Sequence, residues 1–537
     1  MVDEKIKSGF KKIVICAPTG SGKSPVAATL AKAFESSFIV TASKSLQDQY
    51  QNEFSFLKPI KGKQNFGCLK LMEKEKFKKD DFTLAITTGL TCDKGECIEK
   101  TSVNGKTTSK NCKFKPGIQE YQDGKFKEKI CPYYDQKYLA LTSPHSLWNY
   151  HVYFQLMKFN QSAYGQYLGR KVSVFDEAHK IENQILQFIG IDLANYQLDE
   201  CGLDVKNYEL NDIESIISLL DDLAQSYARE IDQIKNSRSF QNNPDYQRIE
   251  KLEKKYYRAA QFRTDVIDDK ENFVINEPDY RDSMFKSISI NPVDISKYAE
   301  DFFNTEYQIF MSATIEKNSF CETIGFLPSE VGFVDVPNSP FSLESRQINF
   351  LNVKRLNYQS TREDELEVIK KIDDLLLLHS LERGIIFTSS IAWCEKIFQN
   401  LSPDNQKRVR ICHSKNKNGK TQNEILKEHE DVNNSVLLSS SLWEGVDLKD
   451  ELSRFQIIAK VPYPNYKEKR TVLKMKKYPL WYDSQTLMKL LQGFGRSTMN
   501  EKDWSTTYVL DSAVNYLLHK SKNMIPQAYH DVLEFTN

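Results

Sequence analysis

Residues 17–24 have the composition and order of a phosphate-binding loop. They read Ala17, Pro18, Thr19, Gly20, Ser21, Gly22, Lys23 and Ser24. Glycines allow backbone N–H groups to approach phosphate oxygens, while Lys23 can reach the terminal phosphates and Ser24 can ligate Mg²⁺. The apolar run at 13–16 predicts a strand before the loop, and Pro25 favours the start of a helix after it. This order of strand, turn and helix predicts a nucleotide site.

Two adjacent carboxylates, Asp176 and Glu177, follow the predicted buried strand at 171–175. A carboxylate at the carboxyl end of a parallel strand lies where α/β sheets bind ligands. There, Asp176 would hold Mg²⁺, and Glu177 would orient and deprotonate an attacking water. Together with the loop at 17–24, the pair predicts hydrolysis of a nucleoside triphosphate.

Five of the ten cysteines lie between these two motifs, and their thiols could bind a metal or a cluster. They are Cys68, Cys92, Cys97, Cys112 and Cys131. Their irregular gaps differ from the close pairs of a zinc site, whereas four thiolates at irregular spacing suit a [4Fe–4S] cluster. A structural zinc site and a set of unligated core cysteines are the alternatives. The other five cysteines, which we expect to be small buried hydrophobes, are Cys16, Cys201, Cys321, Cys394 and Cys412.

Further along the chain, polar motifs again follow short apolar runs, as expected for a second parallel sheet. These motifs lie at residues 311–315, 384–390, 441–447 and 492–496. Gln492 and Arg496 are four residues apart, so on a helix they would point the same way. The repeated order of strand and motif predicts an α/β fold with two parallel-sheet domains.

Residues 181–285 carry no such motif, and their apolar residues recur at helical spacing. One series is Ile213, Ile216, Ile217, Leu220, Leu223, Tyr227, Ile231 and Ile234, and a second is Ile249, Leu252, Tyr256, Ala259 and Phe262. This spacing puts each series on one face of a helix. The segment is therefore predicted to form a helical hairpin or a small bundle.

The composition of the 537-residue chain sets limits on its class. Its 73 basic and 73 acidic residues give zero net charge, so nucleic-acid binding would have to use local positive potential. Lysines and aromatics interleave over residues 58–138, which suits a surface that tracks single-stranded nucleic acid, or else a solvated basic face. We find no membrane span or signal peptide, and expect a cytoplasmic monomer without a membrane partner.

With these motifs in view, the chain resembles the XPD/DinG family of superfamily 2 iron–sulfur DNA helicases over nearly its whole length. The most specific stretches are Trp-Glu-Gly-Val-Asp at 443–447, Val-Asp-Val-Pro-Asn-Ser-Pro-Phe at 334–341 and Cys-Pro-Tyr-Tyr at 131–134. The resemblance implies two RecA-like parallel-sheet motor domains, with a cysteine-rich Fe–S insertion and an α-helical arch insertion in the first. It also implies an ATP-dependent DNA helicase that translocates 5′→3′ on single-stranded DNA and unwinds duplex.

The resemblance also assigns roles to residues. The expected cofactors are ATP, Mg²⁺ and a [4Fe–4S] cluster held by Cys68, Cys97, Cys112 and Cys131, with Cys92 competing for the place of Cys97. The expected catalytic residues are Lys23, Asp176, Glu177, Gln492 and Arg496, and Asp447 joins the loop at 17–24 in nucleotide binding. The expected partners are single-stranded DNA and fork or overhang duplexes, contacted by the hydroxyls of residues 41–49 and the face around 439–443.

The resemblance further implies how the chain divides into domains. We expect motor domain 1 at 1–60, 141–180 and 286–345, the Fe–S insertion at 61–140, the arch at 181–285 and motor domain 2 at 346–537.

Two departures from the family pattern bear on activity. Few residues precede the phosphate-binding loop, where relatives carry a glutamine segment that reads adenine, so base discrimination is expected to be weak or the sequence truncated. Met499 stands where the last motif usually has a second arginine. If the helix continues to Met499, this residue faces the same cleft as Arg496 and predicts slow ATP turnover. A DNA clamp with weak ATPase and an RNA helicase with structural zinc are the alternative functions.

Overall fold

Two parallel β-sheets form the framework of the protein. The computed structural model describes residues 1–76, 81–95, 97–103, 106–159, 161–237, 246–281, 283–413, 419–446, 448–500 and 502–534. The first sheet has seven strands and the second has six. We call the parts built on them motor domain 1 and motor domain 2.

The strands of the first sheet come from three separate stretches of the chain. Their spatial order is Val331–Asp335, Lys12–Cys16, Tyr307–Ser312, Val172–Asp176, Ser37–Thr41, His145–Asn149 and Lys58–Ile60. Along the strand at 12–16, Val14 and Cys16 pack into one hydrophobic cluster and Ile13 and Ile15 into another. A parallel strand buried on both faces shows this pattern, and it explains the unbroken apolar run in the sequence.

The helices of motor domain 1 connect these strands. They are Val2–Lys7, Lys23–Ala33, Lys44–Glu53, Pro132–Thr142, Tyr150–Phe159, Gln161–Leu168, Ile181–Ile189, Ser296–Ala299 and Lys317–Ile324. The predicted strand, turn and helix around the phosphate-binding loop are confirmed.

Between the strands at 58–60 and 145–149 lies the cysteine-bearing insertion. It contains the short helices Leu69–Lys74, Phe82–Thr87 and Ile118–Gln122 and an antiparallel hairpin of Ile98–Val103 with Lys106–Asn111. We call it the cysteine insertion.

The second insertion combines two long helices with a sheet. The periodic series form helices Ile213–Asn236 and Tyr246–Asp268, as predicted, beside the short helix Asn195–Glu200. A four-stranded antiparallel sheet, absent from the prediction, consists of Ile191–Ala194, Phe273–Ile275, Asp279–Arg281 and Met284–Pro292. Its last strand crosses the predicted boundary between residues 285 and 286. We call residues 191–292 the helical insertion.

Motor domain 2 repeats the parallel architecture. Its strands are ordered Ile348–Lys354, Thr506–Asp511, Phe455–Ile458, Gly384–Phe387, Val436–Ser439 and Val409–Ile411. Its helices are Arg362–Leu378, Ile391–Asn400, Pro403–Arg408, Gln422–Asp431, Lys469–Lys477, Trp481–Phe494, Ala513–Lys520 and His530–Glu534. Within the described ranges, no helix is long and apolar enough to cross a membrane.

Candidate nucleotide and nucleic-acid site

Three strand ends bring the predicted catalytic motifs to one edge of the first sheet. Strand Tyr307–Ser312 lies between the strand that ends at Cys16 and the strand that ends at Asp176, and all three are parallel. Cys16 is level with Ser312, and Met311 is level with Asp176. The segments after these strands therefore start side by side, where parallel sheets bind ligands.

The phosphate-binding loop has the backbone that its glycines predict. Gly20 and Gly22 both have left-handed conformations, with φ of 79° and 75°. A Cβ added to Gly20 would also lie 2.2 Å from the ring of Phe341, which leaves no room for a side chain. Lys23 Nζ donates to the carbonyl oxygens of Ala17 and Pro18, both at 3.3 Å, so the ammonium is held inside the loop.

Asp176 is buried, and hydrogen bonds fix its carboxylate. The Tyr50 hydroxyl donates to Oδ2 at 2.8 Å, and the backbone N–H of Glu177 donates to Oδ1 at 3.0 Å. Burial, together with the neighbouring Glu177 charge, raises the pKa of Asp176 to about 6. A bound divalent cation would offset both effects, which suits this carboxylate to Mg²⁺. Tyr50 also hydrogen-bonds Ser24, so this unpredicted residue joins the two expected Mg²⁺ ligands.

Glu177 adopts a left-handed backbone conformation, with φ of 56°. A residue other than glycine takes up this conformation only where its surroundings fix it, and such residues concentrate at functional sites. Burial would raise the pKa of Glu177, but the nearby charges of His179, Lys23 and Lys180 outweigh burial and lower it. An ionised carboxylate beside the phosphate-binding lysine can accept a proton from a water molecule.

Gln492 and Arg496 do not share a helix, so the prediction from their spacing is wrong. Helix Trp481–Phe494 ends before Arg496, because its glycine-rich end disfavours helical backbone. Arg496 instead donates from Nε to Trp443 O at 3.0 Å and from Nη1 to Val446 O at 2.9 Å. Gln492 stays on the helix, is buried and lines the cleft between the motor domains.

Because this helix ends at Phe494, the helical spacing that we used to place Met499 in the cleft does not apply. Residue 499 lies beyond the helix, and its backbone N–H donates to Asp503 Oδ2 at 3.1 Å. The helical spacing that would turn Met499 toward the same cleft as Arg496 does not exist.

The face around residues 439–443 is partly buried: Ser439, Leu442 and Trp443 are buried, Ser440 is half-buried and Ser441 is exposed, so its contact with DNA stays a prediction. Ser439 donates its hydroxyl to Cys412 O at 2.7 Å. The Trp443 ring stacks on Phe387 with centroids 4.6 Å apart. Of the predicted motif hydroxyls nearer the N-terminus, Thr41 is buried, whereas those of residues 43 and 45 are exposed. Asp447 lies outside the described residues.

A cleft of about 840 Å³ opens between the two motor domains and the helical insertion. His179, Arg258, Tyr463 and Gln492 are among the residues that line it. The Tyr463 ring stacks on Tyr482 with centroids 5.4 Å apart. Amides and cations can bind a phosphate backbone and an aromatic ring can stack on a base, so the cleft can accept single-stranded nucleic acid.

The five clustered cysteines line one small cavity of about 20 Å³, to which they come from distant points of the insertion. Cys92 is buried, with Sγ 3.6 Å from Cys131 Sγ, and its thiol also hydrogen-bonds Cys68. Cys97 is half-buried, and its Sγ accepts from Lys63 Nζ at 3.5 Å. Both competitors for the second ligand position therefore reach the cavity, and Cys92 has the closer contacts with other thiols.

The donor set at this cavity suits an iron–sulfur cluster in type, and its five thiols include the four that a [4Fe–4S] cluster needs. Lys70 and Lys115 also line the cavity, and positive charge suits an anionic cluster. A glycine is required at position 95 for Cys68 to keep its place at the cavity, because a Cβ added to Gly95 would lie 2.3 Å from Cys68 Sγ. Among the described residues, however, no three His, Cys, Asp or Glu side chains are arranged as they stand to bind a metal ion. Of the single cysteines, Cys201 is half-buried and the other four are buried, which confirms the expectation for those four.

A buried ion cluster that the sequence did not reveal joins the two motor domains. Glu182 of helix Ile181–Ile189 pairs with Arg470 Nη2 at 2.6 Å and with Lys474, both from motor domain 2. Arg470 also donates to Pro292 O at 2.8 Å in the helical insertion. Buried charges persist only when paired, so this cluster fixes how the three parts meet. In the sequence these residues are indistinguishable from solvated helix charges.

Comparison with known proteins agrees with this architecture. The Helicase C-terminal domain family matches residues 375–531, and the family described as Type III restriction enzyme, res subunit, matches residues 1–199. No curated protein sequence matches the chain.

Three solved structures resemble the whole chain. One named "XPD_Helicase" has a TM-score of 0.60 at 15% identity, covering 99% of this chain and 96% of that chain. A second, "XPD_APO", has a TM-score of 0.54 at 14% identity, and a third, "Structure of S. tokodaii Xpd4", has a TM-score of 0.52 at 15% identity. Each of these two matches covers 97% of this chain and 96% of the matched chain. At such identities the likeness shows the fold.

The two family matches and the two parallel-sheet domains support a helicase that is driven by ATP. The chain shares its overall fold with the three XPD structures, which agrees with the motif resemblance noted in the sequence.

Proposed function

We propose that this protein is an ATP-dependent DNA helicase that moves 5′→3′ on single-stranded DNA and unwinds fork or overhang duplexes. The observation that carries the proposal is the meeting of the phosphate-binding loop with Asp176 and Glu177 at one sheet edge, where Gly495 of motor domain 2 approaches Thr19 of the loop. Direction and preference for DNA are drawn from the motif resemblance.

In the proposed reaction, the loop at 17–24 cradles the phosphates of ATP and Lys23 neutralises their charge. Ser24 and Asp176 would hold Mg²⁺, a role supported by the Tyr50 hydroxyl that contacts both residues. Glu177 would take the proton of the attacking water, because its lowered pKa keeps it ionised.

From the second motor domain, Gln492 and Arg496 would complete the site on the γ-phosphate side, and Asp447 would add a nucleotide contact. Arg496 already influences Glu177, whose pKa it helps to lower. Because Arg496 is also bonded to the turn at 443–446, its role includes bracing that turn.

Single-stranded DNA is proposed to occupy the 840 Å³ cleft. Tyr463 offers a ring for base stacking and the exposed hydroxyls of Ser43 and Ser45 offer phosphate contacts. Movement of one motor domain against the other during each ATP cycle would then advance the strand.

The cysteine insertion is proposed to hold a [4Fe–4S] cluster through Cys68, Cys112, Cys131 and one of the two competing thiols. When bound, the cluster would cross-link the loops of the insertion beside the DNA path. We assign the fourth place to Cys92 ahead of Cys97, because Cys92 contacts two of the other thiols.

An unwinding assay tests the proposal. Duplexes with a 5′ overhang, a 3′ overhang or a fork are incubated with protein, ATP and Mg²⁺, and matched RNA duplexes serve as controls. We expect product from 5′-overhang and forked DNA. Preference for RNA would instead support the RNA helicase, and tight DNA binding without unwinding would support a clamp.

A further inference from the structure

Glu444 of motor domain 2 reaches across the cleft to the residues that follow Glu177. Its carboxylate lies 3.0 Å from Lys180 Nζ and 3.4 Å from His179 Nε2, both at ion-pair distance. The carboxylate is half-buried; burial would raise its pKa, but its contacts with His179 and Lys180 outweigh burial and lower it. Such a partly desolvated pair is stronger than an exposed surface pair.

The His179 ring stands between two carboxylates from different motor domains. Its Nδ1 lies 2.8 Å from Ser312 Oγ and 3.3 Å from Glu177 Oε2, while Nε2 faces Glu444. The Ser312 hydroxyl donates to Thr314 O at 3.0 Å and accepts from Thr314 N at 3.3 Å, so its second lone pair can accept from Nδ1. The position of His179 therefore affects Glu177 directly.

The turn that carries Glu444 is rigidly attached to motor domain 2. Trp443 is buried, stacks on Phe387 and donates from Nε1 to Thr388 O at 3.2 Å. Arg496 holds the backbone on both sides of Glu444 through its hydrogen bonds to residues 443 and 446. The distance from Glu444 to His179 thus follows the placement of the whole of motor domain 2.

We infer that Glu444 is a positioning residue that makes ATP hydrolysis depend on the closure of the two motor domains. In the closed arrangement Glu444 holds Lys180 and the Nε2 edge of His179, so the ring is fixed beside the Glu177 carboxylate. When motor domain 2 moves away, Lys180 and the His179 ring lose this contact, and His179 no longer holds the Glu177 carboxylate in the position that the attacking water needs. This inference rests on the proposed ATPase function.

The test compares Glu444→Gln with Glu451→Gln, a matched change at an exposed carboxylate that pairs with Arg454 of the same domain. DNA-stimulated kcat is expected to fall about tenfold or more in Glu444→Gln, because base catalysis is impaired. The KM for ATP and the Kd for single-stranded DNA should stay within about twofold of the parent values. Glu444→Asp should recover part of kcat, and Glu451→Gln should match the parent.

A double-mutant cycle with His179→Ala shows whether Glu444 acts through His179. We expect Glu444→Gln to cost little further kcat once His179 is removed, since coupled residues are not additive. Equal kcat in the Glu444 and Glu451 variants, loss of DNA affinity instead of kcat, or additive effects would overturn the inference. A parent protein without DNA-stimulated ATPase would instead overturn the proposed function, so the two failures are distinguishable.

Discussion

The nucleotide site and the cysteine cavity are assembled in different ways. The phosphate-binding loop and Asp176 each follow a strand of one parallel sheet, and backbone register brings them together. The five cysteines lie in connections between the short helices and strands of an insertion, and they meet in a cavity of about 20 Å³. The first site is held by the core of a domain, whereas the second is held by loops.

This contrast shows where the local sequence is sufficient to predict the geometry of a site. A strand followed by glycines and lysine specifies its own geometry, because backbone conformation and the sheet edge determine where the side chains go. Thiols on loops specify a donor set without specifying distances, since a bound cluster supplies part of the folding free energy. The nucleotide site should therefore tolerate loss of function without loss of structure, and the cysteine site should not.

The largest expected effect is on hydrolysis. Lys23→Ala and Glu177→Gln should each lower DNA-stimulated kcat by about 100-fold or more, because the first removes charge at the phosphates and the second removes the base. Thermal unfolding should stay close to that of the parent, since neither side chain lies in a hydrophobic cluster. Steady-state kinetics and calorimetry check both statements.

The matched controls are Lys32→Ala and Glu35→Gln, which should retain parent activity. Lys32 is exposed near the end of helix Lys23–Ala33, and Glu35 is exposed just beyond it. More than about a tenth of parental turnover in either site variant would contradict the assignment of these catalytic roles.

The next effect concerns metal content. The anaerobically purified parent should be brown, with iron and labile sulfide in about equal amounts, as a [4Fe–4S] centre requires. Cys68→Ser or Cys131→Ser should bleach the protein, lower its thermal stability and abolish unwinding, with a smaller loss of ATPase because the nucleotide site is separate. Metal analysis, absorbance and unfolding curves measure these changes.

Cys92→Ser and Cys97→Ser decide the fourth ligand, with Cys201→Ser in the helical insertion as control. The contacts of Cys92 lead us to expect bleaching in Cys92→Ser and colour in Cys97→Ser. The reverse outcome would restore the assignment made from the sequence, and colourless parent protein containing zinc would exclude the cluster.

A smaller effect is expected on the pH dependence of magnesium use. Because the pKa of Asp176 is raised to about 6, this carboxylate is mostly ionised at pH 7 and mostly protonated at pH 5. The Mg²⁺ concentration for half-maximal ATPase should therefore rise about tenfold per pH unit below 6 as protons compete. Tyr50→Phe removes a hydrogen bond that lowers this pKa, so its transition should lie at higher pH. A half-maximal Mg²⁺ concentration that does not change with pH in the parent would show that Asp176 does not bind the metal.

The sequence predicted both parallel sheets, the two long helices of the helical insertion and the residues at the first sheet edge. It missed the antiparallel sheet of that insertion, because strands such as Asp279–Arg281 are too short to show a period. It also missed Tyr50, Glu182 and Glu444, which act through partners 100 or more residues away. Contacts between residues that are far apart in the chain leave no pattern in the local sequence, because each charged residue taken alone resembles one that is exposed to solvent.

The smallest expected effect is at Met499. Met499 lies beyond the end of helix Trp481–Phe494, so the geometric reason for an arginine there to meet the γ-phosphate is absent. We expect Met499→Arg to change kcat by less than about twofold, far below the effect of a true arginine finger. An increase of about tenfold or more would show that residue 499 does reach the nucleotide.

The most direct test of the account is the rate of ATP hydrolysis by anaerobically purified parent protein with and without single-stranded DNA. We expect DNA to raise kcat by about tenfold or more, with little response to single-stranded RNA, since closure on the strand completes the site at Glu177. Hydrolysis that is absent, or that is equally fast with and without DNA, would contradict the account.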